Sequence, residues 1–560
     1  MTARFDFCSL LKPVKYFEDL SRGQKILMRS GVLKIFYGAF FLLAVFIHSY
    51  RFWEWGAEGF DSIFYQRMGI EWARGRFPLT IPEVGRPFFL PVMYGMSALF
   101  YKVFGEHDYT LKIMNLAALA GISLLLLLIA RQRRLHSGFA AAPLFIFLFL
   151  PRVILQTRVE MPHLLSTFFV LLSFYFLNLF RERCNLLRLA FSALALHAAA
   201  FVHSDLVLLG PGFLLILLID TPRAGSARWK GFFRHSLLYG LVFLLPFLFY
   251  FAVWGREIVL STIHNNQIYP MMFPGREFPV LFFDFTTRGL AWLLGVPLTV
   301  LLYLALAAHL LKFKDSLRDI DVLIPPAVYF FLFDLVITRN VLEPLIRVMI
   351  PLVPFAGLYL AGRLQVVCEG AKPWKKIAAF TVLTGCLLYN FKEYHRIPSF
   401  AYLDPGAGES FLRYETSFRH VHERLKKELG PGEKILTAPS LLINTSNTYN
   451  LPFYFNGRAV HLRDCSPAKT DFESFLKEER IRYVFIGVSR LQFRDWPSAV
   501  LQDKGLPLCF AERENYDPRL ETEKLMEALA PFGPEKIYEH WWFGIIYRLN
   551  EMPAEAGERS

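Results

Sequence analysis

Apolar runs of about 20 residues recur between residues 34 and 391 and constrain the fold of this chain more than any other feature. Runs of that length are typical of helices that cross a membrane. Of the 560 residues, 54% are hydrophobic and 57 are Phe, and the mean hydropathy is +0.34. These values exclude an ordinary soluble protein and predict a polytopic α-helical membrane protein.

The charges of the loops predict the orientation of these helices. The net charge of +13 does not point to nucleic acid, because many of the Lys and Arg residues fall in short loops between apolar runs. Basic loops remain in the cytoplasm, and here the N-terminal stretch and the loop after every second crossing are basic. About eleven or more crossings are expected, at residues 34–51, 110–130, 139–156, 160–180, 188–203, 206–219, 235–254, 289–311, 321–337, 344–362 and 375–391.

This topology divides the chain into three parts. Residues 1–33 form a cytoplasmic N-terminal segment, residues 34–392 the transmembrane domain, and residues 393–560 an extracytoplasmic domain. Two long loops of the transmembrane domain, 52–109 and 256–288, lie on the outer side. The tail is mixed and polar, and its strand-like runs KILTA, RYVFIGV and FGIIYRL alternate with helical stretches such as DFESFLKEE. This pattern predicts a small soluble α/β domain.

Two cysteines, Cys465 and Cys509, fall in the predicted outer domain. In an oxidising compartment they could form a disulfide. Two separate buried thiols are an equally good interpretation. No Cys/His spacing in the sequence resembles a zinc site, so no metal ligand is assigned.

Polar residues collect at the outer ends of the predicted helices. Charges at membrane depth are costly, so residues of this kind are candidates for function. Simpler roles stay open for each of them: an arginine can anchor a helix end among headgroups, an acid can cap a helix, and a histidine can bond within the core. The candidates are Asp61, Arg86, Arg158, Glu160, His163, His203, Asp205, His264, Glu343 and Arg347.

Asp61 lies in the stretch FDSIFYQRMGIEWARGRFP of the first outer loop. A helix that starts here places four residues on one face: Asp61, Tyr65, Met68 and Trp72. The carboxylate then shares a face with apolar side chains. Asp61 could also cap the helix, since Gly-Phe-Asp-Ser is a fair helix start. The two roles are compatible, because a carboxylate at a helix start can also face a cavity.

A membrane cavity with one carboxylate and several cations suits the transfer of a sugar from a lipid phosphate. The carboxylate would take a proton from the acceptor, and the cations would stabilise the charge that grows on the phosphate. Three stretches fit this layout: FDSIFYQRMGIEWARGRFP, TRVEMPHLLSTFFVLLSFY and EPLIRVMIPLVPFAGLYLAG. A fourth stretch, GRPFFLPVMYGMSALFYKVFG, lies between the first two. With these stretches, the chain resembles the GT-C class of glycosyltransferases, especially its protein O-mannosyltransferase and lipid A aminoarabinose transferase branch.

The resemblance implies roles for individual residues. Asp61 matches the catalytic acidic residue of the first loop, Glu160 the acidic position of the second outer turn, and Arg347 the arginine that meets the lipid phosphate. Arg158 or Arg86 would assist Arg347. Substrate-binding roles are expected for His163, His203, Asp205, His264 and Glu343.

Two departures from the family pattern affect these roles. Ser62 replaces the Glu that often follows the first-loop acid, and HSD at 203–205 replaces a lysine at the outer end of the middle helices. The second departure puts a phosphate-binding role of His203 in doubt. The His-Pro start of the dolichol-dependent mannosyltransferases is absent from this sequence, which disfavours that branch.

The expected function is an inverting glycosyltransferase that moves a sugar from a polyprenyl-phosphate donor to a lipid, glycan or protein acceptor outside the cytoplasm. The resemblance favours a bacterial inner membrane. No cofactor is assigned, although acids near a phosphate could recruit a divalent cation. The alternative is a transporter or flippase for a glycolipid. Polar lining through the full depth and paired repeats would favour transport, whereas here the polar residues cluster at the outer ends.

Overall fold

The computed structural model describes residues 31–49, 60–78, 90–135, 137–157, 162–220, 225–272, 285–311, 317–337, 349–369, 373–394, 425–438, 458–461, 472–486, 518–540 and 544–550. These residues form a mostly helical part up to Tyr394 and a mixed sheet with helices after residue 425.

The helical part contains sixteen α-helices among the described residues. In chain order they are α1 Gly31–Ser49, α2 Phe60–Ala73, α3 Pro91–Phe104, α4 Thr110–Gln132, α5 Ser137–Ala140, α6 Ala142–Leu148, α7 Pro151–Gln156, α8 His163–Arg183, α9 Leu186–Val202, α10 Gly210–Asp220, α11 Gly225–Met272, α12 Leu290–Leu294, α13 Val296–Leu311, α14 Leu317–Ile337, α15 Val353–Cys368 and α16 Pro373–Tyr394. Short 3₁₀ segments precede α10 (Ser204–Leu209) and α15 (Ile350–Leu352), and a π-helical turn covers Phe285–Gly289.

Four described helical segments are long and apolar enough to cross a membrane: Thr110–Gln132, His163–Arg183, Trp229–Arg256 and Ile350–Cys368. Shorter apolar helices lie between them along the chain. The molecule is therefore an α-helical protein of the membrane type, as the apolar runs predict. The number of crossings stays a prediction.

Two helices continue beyond the ends of the apolar runs. The outer loop expected at 256–288 is helical as far as Met272, because α11 continues past a kink at Trp254, where φ is −129° and ψ is 27°. The tenth predicted crossing ends at residue 362, yet α15 continues to Cys368. In both cases hydropathy marks where the apolar run stops. A helix can extend beyond that point, because its backbone hydrogen bonds do not depend on apolar side chains.

Proline shapes the segment predicted as a single crossing at 139–156. It consists of the three short helices α5, α6 and α7, and Pro143 and Pro151 occupy the first turns of α6 and α7. Proline suits the first turn of a helix because that turn needs no intrahelical N–H bond. The two prolines therefore start new helices within one apolar run.

A buried ion cluster joins three helices at one end of the bundle. The guanidinium of Arg133, which follows α4, donates two hydrogen bonds to the carboxylate of Asp321 on α14, at 2.9 and 3.0 Å. Arg181 of α8 donates to the same carboxylate and also to Oδ1 of Asn178, at 3.2 Å. Loop charge predicts that three loops lie on the same side of the membrane: those that follow Arg133 and Arg181, and the one that precedes Asp321. We call this the arginine end.

The residues after 425 include a five-stranded sheet of order β2-β1-β3-β5-β4. Its strands are β1 Lys434–Ala438, β2 Ala459–His461, β3 Ile481–Ile486, β4 Pro534–His540 and β5 Gly544–Leu549. β1 is parallel to β2 and β3, whereas β5 is antiparallel to β3 and β4. Two helices accompany the sheet, α17 Phe472–Glu478 and α18 Pro518–Leu529.

Alternation along the strands buries both faces of this sheet. Leu436, Val484 and Leu549 pack in a cluster with residues of α17 and α18. Their neighbours Ile435 and Phe485 point to the other face and belong to a second cluster. Period-two alternation with apolar residues on both faces is typical of a sheet covered on each side.

Candidate active site at the histidine end of the bundle

The bundle end opposite the arginine end gathers buried polar side chains. Nε2 of His48, at the end of α1, donates to the carbonyl of Leu148, at 2.9 Å. Nδ2 of Asn115 on α4 donates to the carbonyl of Gln156 at the end of α7, at 2.9 Å. Thr157, next in the chain, lies 3.4 Å from Nδ1 of His48 and is fully buried. We call this the histidine end.

Predicted site residues on three elements meet at the histidine end. The rings of His163, the first residue of α8, and His203, directly after α9, have centroids 5.2 Å apart. Asp205 lies on the 3₁₀ segment, and its Oδ2 is 3.5 Å from Nδ1 of His203. The buried Tyr329 of α14 lies within electrostatic range of Asp205. Three sequence candidates thus form one cluster.

Lys112 is a buried cation that the sequence interpretation missed. It lies in the first turn of α4 and has no exposed surface. It is three residues from Asn115, so the two share a helix face. The available signal was a lysine near the start of the otherwise apolar run TLKIMNLAALAG, since a charge in such a run is costly and is a functional candidate.

Asp61 belongs to the first turn of α2, which begins at Phe60. The cap and the site role of Asp61 both stay predictions. A carboxylate in the first turn still interacts favourably with the helix dipole. On the predicted face, Met68 is fully buried and Tyr65 and Trp72 are half-buried.

Close packing fixes α2 against α3. A Cβ on Gly69 would lie 2.6 Å from Cβ of Ser97 and 2.9 Å from the ring of Tyr101, so the two backbones approach where only glycine fits. Nε2 of Gln66 donates to the carbonyl of Asp108, just before α4, at 3.4 Å. The helix that carries Asp61 is therefore tied to both following helices.

Aromatic stacking joins α2 to the kink of α11. The rings of Trp72 and Trp254 stack with centroids 6.0 Å apart, and Trp72 also contacts the ring of Tyr94 at 5.5 Å. Nε1 of Trp72 donates to the carbonyl of Pro78 at 3.0 Å. His264, a predicted substrate-binding residue, lies on α11 beyond this kink.

The other predicted site residues lie outside the described part of the chain: Arg86, Arg158, Glu160, Glu343, Arg347, Cys465 and Cys509. Their predicted roles stay predictions. Arg158 and Glu160 belong to the four-residue stretch between Thr157 and Pro162, both of which are buried. Within the residues that the structure describes, no group of three His, Cys, Asp or Glu side chains could hold a metal ion.

Comparison with known proteins gives a relationship of structure and not of sequence. No family model and no curated protein matches the sequence. The fold is similar to that of ArnT from Cupriavidus metallidurans bound to undecaprenyl phosphate, with a TM-score of 0.54, 13% identity, and coverage of 91% of this chain and 97% of that chain. The chain has the GT-C glycosyltransferase fold.

Two further solved structures are similar to this chain at lower scores. The apo state of the same ArnT gives a TM-score of 0.52 at 13% identity and covers 93% of this chain and 99% of that chain. The archaeal oligosaccharyltransferase AglB from Archaeoglobus fulgidus, in complex with an inhibitory peptide and a dolichol-phosphate, gives a TM-score of 0.43 at 10% identity. It covers 82% of this chain and 70% of that chain.

Proposed function

We propose that this protein is an integral-membrane inverting glycosyltransferase. It moves a sugar from a polyprenyl-phosphate donor to a lipid, glycan or protein acceptor on the extracytoplasmic face of a membrane, with a bacterial inner membrane as the proposed location. The observation that carries this proposal is the GT-C fold, which matches ArnT over almost the whole of both chains. That relative was solved with undecaprenyl phosphate bound.

The polar groups at the histidine end support the proposal. A site for a lipid phosphate at a membrane surface needs buried polar and cationic side chains next to apolar helices. Lys112, Asn115 and the pair His163 and His203 provide such side chains, and apolar helices surround them. α2, which carries Asp61, is tied to the start of α4 at the same end of the bundle.

The proposed reaction is a single displacement at the anomeric carbon. Asp61 takes the proton of the acceptor, whose heteroatom forms the new bond to the sugar. The bond between the sugar and the phosphate oxygen breaks, and its electron pair stays on the polyprenyl phosphate. Arg347, with Arg158 or Arg86, stabilises that charge. Glu160 orients the acceptor or one of these arginines.

The substitution Asp61→Asn tests the proposed base. In reconstituted vesicles with a polyprenyl-phosphate sugar, we expect it to reduce transfer by about 100-fold or more, the usual scale for a lost general base. Glu71→Gln is a matched control, because Glu71 is an acid on the same helix that pairs with the exposed Arg76. Transfer by Asp61→Asn at the wild-type rate would remove Asp61 from the chemistry.

The substitution Arg347→Ala tests the proposed phosphate contact. We expect the apparent KM for the lipid donor to rise, because a cation that holds the phosphate contributes to binding before the chemical step. The KM for the acceptor should stay the same. An unchanged donor KM would argue against a phosphate contact of Arg347.

A further inference from the structure

A titratable cluster at the histidine end has a net charge that depends on protonation. It consists of two imidazoles and one carboxylate: His163 from α8, His203 after α9, and Asp205 from the 3₁₀ segment. With both imidazoles neutral the cluster carries one negative charge, and with both protonated it carries one positive charge. Histidine is the side chain whose charge is most sensitive to pH in the physiological range, so the charge of this cluster can depend on pH.

The members of the cluster differ in exposure. The side chain of His203 is 15% exposed and that of Asp205 is 26% exposed, whereas His163 is 3% exposed. The exposed parts of His203 and Asp205 can thus meet a ligand, whereas His163 lies buried next to the ring of His203. The carboxylate of Asp205, at 3.5 Å, favours the protonated form of His203. Tyr329, from α14, also interacts electrostatically with the carboxylate of Asp205.

We propose that His203, held by Asp205 and backed by His163, is a titratable cation that binds the phosphate of the lipid donor. A protonated imidazole next to a phosphate forms a charge-assisted hydrogen bond, whereas the cluster with both imidazoles neutral carries a negative charge and repels an anion. Binding of a phosphate-bearing lipid therefore strengthens as the pH falls through the titration of His203. This inference rests on the proposed function, and it adds a binding residue and a pH dependence to it.

Binding of undecaprenyl phosphate to the full-length protein in detergent tests the inference without any need for transfer. Kd is measured at pH 6 and pH 8 for the wild type and for His203→Gln, His203→Lys and Asp205→Asn. Undecaprenol, which lacks the phosphate, is the ligand control. His107→Gln is the protein control, because His107 is an exposed histidine that stacks on Tyr109 in a different loop.

We expect the wild type to bind about tenfold more weakly at pH 8 than at pH 6, the scale of one charge-assisted bond. His203→Gln should bind weakly at both pH values. His203→Lys has a cation that does not titrate in this range, so it should bind tightly at both pH values. Any small change in its Kd between pH 6 and pH 8 measures the titration of the lipid phosphate itself. In Asp205→Asn, the affinity should be lost at a lower pH than in the wild type, because the carboxylate that favours protonated His203 is gone.

The outcomes separate this inference from the proposed function. If the wild type binds undecaprenol as tightly as undecaprenyl phosphate, the lipid-phosphate donor is wrong and the role of His203 falls with it. If the wild type prefers the phosphate but His203→Gln shows the same affinity and the same pH dependence, only the role of His203 is wrong. Should His203→Lys fail to fold, the Gln and Asn variants still decide between these results.

Discussion

The arginine end and the histidine end of the helical bundle both bury charged or titratable side chains, but they arrange them differently. At the arginine end, two guanidinium groups from different helices surround the carboxylate of Asp321 and complete an ion cluster. At the histidine end, Lys112 and His163 lie buried on different helices around the turn that leads to Arg158 and Glu160. The first is an ion cluster that joins three helices, whereas the second is a set of polar side chains on several helices where we propose that the ligand binds.

The largest effect on stability is expected from Asp321→Asn at the arginine end. This change leaves the partly buried guanidinium groups of Arg133 and Arg181 without the buried carboxylate, and breaking a buried ion pair costs up to about 3–5 kcal/mol. We expect a clear drop in the melting temperature of the purified protein in detergent. The triple replacement of Asp321 by Leu and of both arginines by Met should recover much of the loss, because no buried charge then remains.

An unchanged melting temperature for Asp321→Asn would mean that the ion cluster does not hold the helices together. The comparison between the two ends would then lose its basis. A fall in stability without recovery in the triple variant would mean instead that the charges are needed for the packing itself.

At the histidine end, Lys112→Met should cost less stability and more activity. The change removes a fully buried charged group, and the loss of polar interactions at such a site costs about 1–3 kcal/mol. We expect sugar transfer to fall by about tenfold or more. Lys112 is a buried cation at the end of the bundle where we propose that the lipid phosphate binds, and a cation there would stabilise the charge on the phosphate. Lys112→Arg keeps the charge and should retain more transfer than Met. Full transfer by Lys112→Met would assign Lys112 to the framework and not to the site.

The position of α2 can be changed without touching any charge. Gly69→Ala places a Cβ 2.6 Å from Ser97, and overpacking of this kind costs about 1–3 kcal/mol. We expect transfer to fall together with stability, because α2 carries Asp61. Gly95→Ala on α3 is the matched control, since nothing lies within 4 Å of a Cβ there. Equal effects of the two substitutions would show that close packing at Gly69 does not position the site.

Elements with a strong local pattern could be predicted from the sequence. KILTA forms β1, most of RYVFIGV forms β3, and FGIIYRL contains β5. The apolar runs contain the long membrane-type helices. The pairing of Arg133 and Arg181 with Asp321 agrees with the prediction from loop charge that these helix ends lie on one side. Such patterns reflect hydrophobic periodicity and loop charge, which need no knowledge of distant contacts.

The features that the sequence did not predict depend on contacts between distant segments. The extension of α11 to Met272 follows from a helix that continues beyond its apolar run, with Trp254 stacked on Trp72 at the kink. The buried position of Lys112 depends on how α4 packs against its neighbours. The cluster of His163 and His203 joins residues 40 positions apart, and only the folded chain shows their separation of 5.2 Å.

The smallest effect is expected from an ion pair that also has two hydrogen bonds between a guanidinium and a carboxylate but is more exposed. Arg74 donates two hydrogen bonds to Glu106, at 2.8 and 2.6 Å, and this bond raises the pKa of Arg74. The two side chains are 40% and 32% exposed, against 12% and 9% for Arg133 and Asp321. Water screens exposed pairs, so Glu106→Gln should cost at most about 1 kcal/mol.

Salt provides the decisive comparison between the two pairs. At about 1 M salt the screening length falls to about 3 Å, so the effect of Glu106→Gln on the melting temperature should disappear. The effect of Asp321→Asn should persist, because buried pairs are screened much less. If both effects disappear in salt, burial does not distinguish the pairs and the Asp321 cluster is open to solvent. If both persist, the Arg74 pair also belongs to the framework that holds α2 beside α4.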